Sequence, residues 1–277
     1  MNKLTAIILT HNSESMIAKV VNSCKNISDR MIVVDDFSED KTVRIAKSLG
    51  CEVVQHKFEN YSKQRNWAQE YAGLNAGNWF LHLDSDEVIT KKLASNISNA
   101  IKSRGYDGYL LKRRTYFMGR PIRFGHLNPN WHLRVYKAGK GFCEHRLYDQ
   151  HFVIEGKTKR LSGLMLDMQD VPLSDWVKSH NRWAKEEAKE ILFKLKNEKQ
   201  LPEKLKGDPR MRKRWIKNRV YYKLPILLRP FLFFAYSYFF RLGFLDGGIG
   251  FAYSILHAFW FRFLVDVNIL EMKLKVK

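Results

Sequence analysis

The stretch NWFLHLDSDEV, residues 78 to 88, ends a run of bulky apolar side chains on three acids, Asp84, Asp86 and Glu87. A single serine separates Asp84 from Asp86. On a turn that follows a buried strand, both carboxylates reach one hard cation. Mg2+ and Mn2+ take oxygen ligands, keep several waters and are commonly completed by substrate phosphates. Such an ion neutralises charge developing on a departing diphosphate. Two acids one residue apart are also what an ordinary solvated turn looks like, so the reading rests on the elements that carry them.

Those elements alternate. LTAIIL, MIVVDD, CEVVQH and WFLHLD read as strands. Between them lie segments of helical spacing: SESMIAKVVNSC after a Ser13 cap, SEDKTVRIAKSLG closed by Gly50, and NYSKQRNWAQEYAG ending at Gly73. TKKLASNISNAIKSRG follows, from a Thr90 cap to Gly105, and Asp36, Ser38 and Asp40 are all available to cap the second helix. Continuous apolar strands alternating with helices predict an α/β fold, a mostly parallel central sheet with helices on both faces. Ligands of such sheets bind beyond the carboxyl ends of the strands. Asp35 and Asp36 fall there after one strand, and Asp84 and Asp86 after another. From 108 to 165 the pattern is β-rich and irregular, and 174 to 197 reads as one amphipathic helix through Trp176, His180, Ala184, Ala188 and Leu195.

The chain has 277 residues, 45% of them hydrophobic, enough for one large domain or a domain with an appendage. Its 48 Lys+Arg against 28 Asp+Glu give a net charge of +20, which calls for a polyanionic partner. The cysteines, Cys24, Cys51 and Cys143, are odd in number and lack metal spacing; they read as reduced thiols of a cytosolic protein. The apolar run Leu4 to Leu9 is too short for a signal-peptide core. No run reaches the roughly 18 uninterrupted apolar residues of a spanning helix. Residues 203 to 223 carry nine Lys/Arg against two acids, and 224 to 267 are crowded with aromatics, the longest clean run being Phe231 to Phe240 between Arg229 and Arg241. This pattern predicts helices lying in a membrane interface with the preceding cations on lipid phosphates. Self-association into a homo-oligomer is the other use of such a tail. Nucleic acid is not expected, because the aromatics form dense blocks and not isolated stacking platforms.

ILTHNSE follows the first strand, VVDDFSEDKT the second, and KQRNWAQEYAGLNAGNWFLHLDSDE leads into the acids. In these motifs, over roughly residues 1 to 165, the chain resembles the family 2 glycosyltransferases, whose fold is called GT-A. The resemblance implies that Thr10, Asn12 and Glu14 line the nucleotide site and that Asp35 or Asp36 faces the base and ribose. It implies a divalent metal, Mn2+ or Mg2+, at Asp84 and Asp86, with Asp86 the direct ligand. The helix carrying Lys63, Gln64, Arg65 and Asn66 would point at the sugar-nucleotide, with Arg65 offsetting diphosphate charge. Arg134 in NWHLRVY would bind the diphosphate and Trp131 would stack on a sugar.

Inverting transfer needs a general base to take the acceptor hydroxyl's proton. The family's pattern slides along GFCEHRLYDQHFVIEGKTKRL in two registers, one giving Asp149, the preferred one, the other Glu144 beside His145. Tyr148 stands where the pattern often has His, and Asp167 in LMLDMQ does the same. HNRWAKEEA, residues 180 to 188, and the tail resemble a bacterial subgroup that builds lipopolysaccharide core or surface polysaccharide on lipid-borne saccharides.

The expected organisation is a nucleotide-sugar-binding catalytic domain over 1–170, a helix over 171–202 packing on it, and a basic, aromatic-rich helical tail over 203–277. The expected activity is metal-dependent inverting transfer from a nucleotide diphosphate donor, UDP, to a hydroxyl of a lipid-linked glycan. The protein would be cytoplasmic, peripheral on the inner face of the membrane. One rival is a nucleotidyltransferase, but THNSES lacks the Gly-rich, basic phosphate loop after strand one. Another is a non-catalytic membrane scaffold.

Overall fold

A computed structural model describes residues 3–74, 78–169, 171–193 and 200–275. The chain forms two compact units, the first drawn from 1–114, 130–145 and 150–170, the second from 115–129, 146–149 and 171–277. The stretch 1–170 is therefore shared between units, and the helix and tail that follow it fall together in the second.

The first unit is built on a sheet. Strands β1 (Leu4–Thr10), β2 (Arg30–Asp35), β3 (Glu52–Gln55) and β4 (Trp79–Asp84) run parallel in the order β3-β2-β1-β4. Period-2 alternation gives β1 two cores: Leu4, Ala6 and Ile8 face one, Ile7 and Leu9 the other. Helix α1 (Ile17–Cys24), α2 (Thr42–Ser48) and α4 (Lys91–Lys102) cover the first face, and α3 (Tyr61–Ala72) covers the second.

Beyond β4 the central sheet of the α/β fold becomes mixed. With β5 (Glu87–Ile89) and β6 (Gly108–Phe117) placed, β7 (Arg120–Pro121) is a short partner of β6, and β8 (Asn130–Lys137) pairs antiparallel with both β4 and β6. The hairpin β9 (Gly141–Cys143) and β10 (Phe152–Ile154) and the strand β11 (Thr158–Arg160) follow, and β12 (Met165–Asp167) pairs antiparallel with β5. The sheet is mixed because no helical crossover separates β6 from β8; without one a strand returns antiparallel.

Two cap assignments change. α1 begins at Ile17 with Met16 at its cap, and Ser13 contributes its carbonyl, not its side chain. Asp36 does not cap α2: its Oδ1 accepts the Phe58 amide at 2.9 Å, while Asp40 Oδ1 accepts Thr42 N. Thr90 does cap α4. All three cysteines are free and buried.

The second unit is helical. α5 (Leu173–Phe193) covers most of the expected 174–197 helix; residues 194–199 lie outside the described residues. After α6 (Pro209–Arg219) and α7 (Arg229–Ala235), the backbone tightens and widens through a π turn at Tyr236–Phe240 and a 3-10 turn at Gly243–Asp246. α8 (Gly247–Tyr253) continues through a π stretch into α9 (Phe261–Lys275). Ala184 and Ala188 of α5 are small, which lets Phe261, Val265 and Ile269 of α9 pack closely on them.

Among the described residues one helix, Gly243–Lys275, is long and apolar enough by length and composition to cross a membrane. The expectation of no such helix rested on the absence of an uninterrupted apolar run, and within this helix His257, Arg262 and Asp266 are such interruptions. They interrupt the apolar run but not the helix, because Arg262 is paired with Glu187 at 2.9 Å and Asp266 with Arg229. The basic segment also divides. Arg210 and Arg214 are buried and Lys217 reaches Glu187 at 2.7 Å, whereas Lys204, Lys206, Arg212, Lys213, Arg219 and Lys223 are exposed.

Candidate active site

β1 lies between β2 and β4, so its last residues organise the carboxyl edge of the sheet. Thr10 stands opposite Asp35, and Leu9 opposite Asp84. Thr10 Oγ1 is buried without a hydrogen-bond partner among the described residues. Asp35 is fully buried and accepts the Ser38 amide at 2.9 Å and the Ser38 hydroxyl at 2.5 Å. Asn12 takes a positive φ of 45°; its amide donates to Ser38 Oγ at 2.8 Å and its Oδ1 accepts from Glu39 N at 2.9 Å. Glu14 Oε2 accepts from Lys41 N at 3.0 Å. Thr10, Asn12, Glu14, Asp35 and Asp36 thus come from two strand ends whose loops are stitched together, and Ser13 joins this rim to the acids through a 2.7 Å contact with Ser85.

Helix α3 supplies the opposite charge. Its buried positions are unusually polar, Ser62, Gln64, Arg65 and Gln69 with Ala68, and each polar one is satisfied. Gln64 bonds His56, Gln69 accepts from Tyr136, Ser62 donates to the Glu144 carbonyl at 2.6 Å, and Arg65 reaches Asp84. Arg65 Nη2 donates at 2.8 and 3.0 Å to the two Asp84 oxygens. Its guanidinium also lies 5.4 Å from the Tyr61 ring centre and 5.6 Å from that of Phe152. From β8, Arg134 Nη2 donates at 2.7 Å to Asp84 Oδ2 and at 2.6 Å to Glu87 Oε1. Burial works against charge on Asp84, yet Arg134 and Arg65 outweigh it and hold the carboxyl below the usual carboxylate range. Lys63 is on the solvent side beside Glu59, and Trp67 stacks on His56 at 3.9 Å.

Asp86 is the contrast. Among the described residues its carboxylate makes no hydrogen bond or ion pair. Burial, and then the charges of Asp167, Asp84 and Glu87, push it well above the usual carboxylate value, with Arg113 opposing. No group of three or more His, Cys, Asp or Glu side chains able to hold a metal is assembled among the described residues. An all-oxygen pair with one unpartnered carboxylate in a field of like charge nevertheless fits Mn2+ or Mg2+, which need only one or two protein carboxylates when a diphosphate supplies the rest.

The two base candidates are placed differently. Glu144 is fully buried in the first unit; its Oε1 accepts the His151 amide at 2.8 Å, closing the 144–151 loop. Asp149 lies in the second unit at a positive φ of 55°, half-exposed, with Lys217 Nζ at 3.6 Å from Oδ2. Trp131 is covered by the Arg160 guanidinium at 5.6 Å.

Sequence reasoning gave no role to Glu87 and did not notice Arg113. Glu87 Oε2 accepts the Asp84 amide at 3.1 Å and so shapes the turn that carries Asp86. Arg113 stands 3.8 Å from Glu87 and 3.6 Å from Asp167. Asp167 ends β12, adds to the negative field at Asp86 and is held by Arg113. The available signal was the basic run KRR inside a strand otherwise buried, since a buried strand carrying arginines needs acids across from it.

Residues 5–156 match the sequence profile described as glycosyl transferase family 2. A Rickettsia typhi protein named an uncharacterized glycosyltransferase is 27% identical over 289 residues, covering 99% of this chain and 89% of the relative. Among solved structures, Staphylococcus aureus TarS, residues 1–349, in complex with UDP is 16% identical with a TM-score of 0.46, over 99% of this chain and 92% of that one. Mycobacterium tuberculosis glucosyl-3-phosphoglycerate synthase, solved with Mn2+, UDP and glucosyl-3-phosphoglycerate, is 20% identical with a TM-score of 0.34 over 42% of this chain. This chain spans 44% of that synthase.

Proposed function

The chain belongs to glycosyl transferase family 2, with a GT-A type of fold, and we propose that it is a metal-dependent, inverting enzyme that moves a sugar from UDP to a hydroxyl of a lipid-linked glycan. The acceptor class is that of bacterial lipopolysaccharide or surface polysaccharide, met at the cytoplasmic face of the membrane. The observation that carries the donor reading is the strand-end pair itself: Asp84 gripped by two buried arginines, and Asp86 with a carboxylate that has no hydrogen-bond or ion-pair partner among the described residues. Asp84 and Asp86 would hold the divalent ion, which supplies Lewis-acid stabilisation of the leaving diphosphate. Thr10, with its unpaired buried hydroxyl, and the Asn12, Glu14, Asp35 and Asp36 rim would take the nucleoside. Arg65 and Arg134 offer fixed guanidinium edges suited to phosphate oxygens.

The base removes a proton from the acceptor oxygen as that oxygen bonds the anomeric carbon and the diphosphate departs with the old bond's electrons. Asp149 is the preferred candidate, its side chain partly exposed beside Lys217, whereas that of Glu144 is enclosed and accepts the His151 amide. A second reading is favoured by one contact. Ser62 holds Glu144 from the same helix on which Arg65 holds Asp84, so Glu144 and the acids share one compact unit.

The membrane reading is supported in the second unit by exposed Leu228, Phe231, Phe239, Phe240, Leu245 and Phe251, together with the six exposed cations of 204–223. The Gly243–Lys275 helix would lie on the surface and not cross it. One side of α9 is already spent on α5, and Arg262 and Asp266 are tied to Glu187 and Arg229. Incubating the protein with labelled UDP-sugars, Mn2+ and a bacterial lipid extract tests the acceptor. Label should move into an organic-extractable glycolipid; label found only in water-soluble products refutes the lipid-linked acceptor.

A further inference from the structure

We propose that Arg65 and Arg134 are exchangeable counter-ions of Asp84, so that the divalent ion and the donor diphosphate bind strongly only together. The proposal rests on the reading of Asp84 and Asp86 as the metal pair.

A metal seat needs lone pairs free to point at the ion. Asp86 has them. Asp84 has few left: Arg65 takes Oδ1 at 2.8 Å and Oδ2 at 3.0 Å, and Arg134 takes Oδ2 again at 2.7 Å, three donors on a carboxylate with about four lone-pair sites. A divalent ion arriving alone must break into this arrangement and face two guanidinium groups close by. The displaced arginines have nowhere wet to go. Arg65 is 7% exposed and flanked by Tyr61 and Phe152, and Arg134 is 4% exposed. Freeing a buried charge from its partner costs several kcal/mol unless another partner replaces it.

A diphosphate arriving alone meets the converse problem, since the two arginines it would use are already held by Asp84 and Glu87. When both arrive, the ion takes Asp84 and Asp86, and the phosphate oxygens take the arginines. One detail marks Arg134 as ready for that exchange: its Nε–H is buried and has no acceptor among the described residues, although Nη2 serves two carboxylates. Arg65 is ready in another way, because the aromatic rings fix its guanidinium independently of Asp84.

Linkage makes the claim quantitative: whatever factor the diphosphate adds to metal affinity, the metal must add to diphosphate affinity. The test titrates Mn2+ into the full chain with and without UDP, reading free Mn2+ by electron paramagnetic resonance, and titrates UDP with and without Mn2+ by calorimetry. Each ligand should tighten the other by at least about ten-fold, by the same factor in both directions. Arg65→Gln is the informative variant, because Asp84 keeps Arg134. It should bind Mn2+ alone several-fold more tightly than the parent and show weaker coupling to UDP. Arg65→Lys, which keeps the charge, should restore weak binding of Mn2+ alone. Unchanged Mn2+ affinity in Arg65→Gln, with coupling intact, overturns the exchange while leaving the metal pair standing. Absence of Mn2+ binding even with UDP present overturns both.

Discussion

Arg65 Nη2 sits 2.8 Å from Asp84 Oδ1 and 3.0 Å from Oδ2, a cation on a helix facing an acid at the end of a strand. That pairing explains how a strand buried on both faces can stop on negative charge. It also sets Asp84 apart from Asp86, its neighbour but one, and the difference is measurable.

Asp84→Ala leaves Arg65 buried without its carboxylate and Arg134 with Glu87 alone. It should cost about 3–5 kcal/mol of unfolding free energy in urea. Asp86→Ala removes a carboxylate on which burial and the repulsion of Asp167, Asp84 and Glu87 outweigh the attraction of Arg113, so stability should hold or rise slightly. Metal-dependent turnover should be lost in both. Equal destabilisation by the two substitutions would contradict the arrangement of charges.

Asp149→Asn should lower kcat by about 100- to 10,000-fold while donor binding, read by calorimetry, is retained. Glu144→Gln should chiefly loosen the 144–151 loop, with a stability loss and a smaller kcat effect. The reverse pattern would make Glu144 the base.

Glu187 gives the second unit a pH signature. Burial alone would raise its carboxyl, but Arg262 and Lys217 outweigh it and bring it from 4.5 to about 2. A carboxyl depressed on folding contributes stability that is fully present above its unfolded value and fades as pH falls through the folded one. The contribution, on the order of 3 kcal/mol, should therefore be complete at neutral pH and decline between about 4.5 and 2. Glu187→Gln should be less stable than the parent at pH 7, with the gap closing toward pH 2.5 in urea melts. A gap independent of pH would refute the assignment.

Phe239 and Phe240 are 58% and 77% exposed at the turn that follows α7. Replacing both with Ser should reduce flotation with anionic vesicles by roughly ten-fold or more, each ring losing about 1.5–3 kcal/mol of burial, without altering the thermal melt. Undiminished flotation would place the membrane contact elsewhere, and a change from oligomer to monomer would assign the face to self-association.

Much of this molecule was legible in the sequence where local pattern and tertiary need coincide. The four parallel strands, their helices and the acids at the carboxyl edge follow from alternation of apolar strand and amphipathic helix. What pairs with those acids was harder to read. Arg65 was expected to face a ligand, and its link to Asp84 spans 19 residues; Arg134 and Asp84 are 50 apart. Composition counts charges without giving their directions, so the inward turn of Arg210, Arg214 and Lys217 was hidden in a run that looked uniformly basic. The antiparallel half of the sheet was hidden for a related reason: short irregular strands carry little period, and their order is set by which edge remains unpaired.

The most direct test of the account is release of UDP from a panel of UDP-sugars, measured with Mn2+ and again with EDTA, for the parent and for Asp86→Ala. The account predicts release by the parent with at least one sugar, abolished by EDTA and absent from a folded Asp86→Ala. Turnover that persists in EDTA, or in the variant, would contradict a divalent ion held by the Asp84–Asp86 pair.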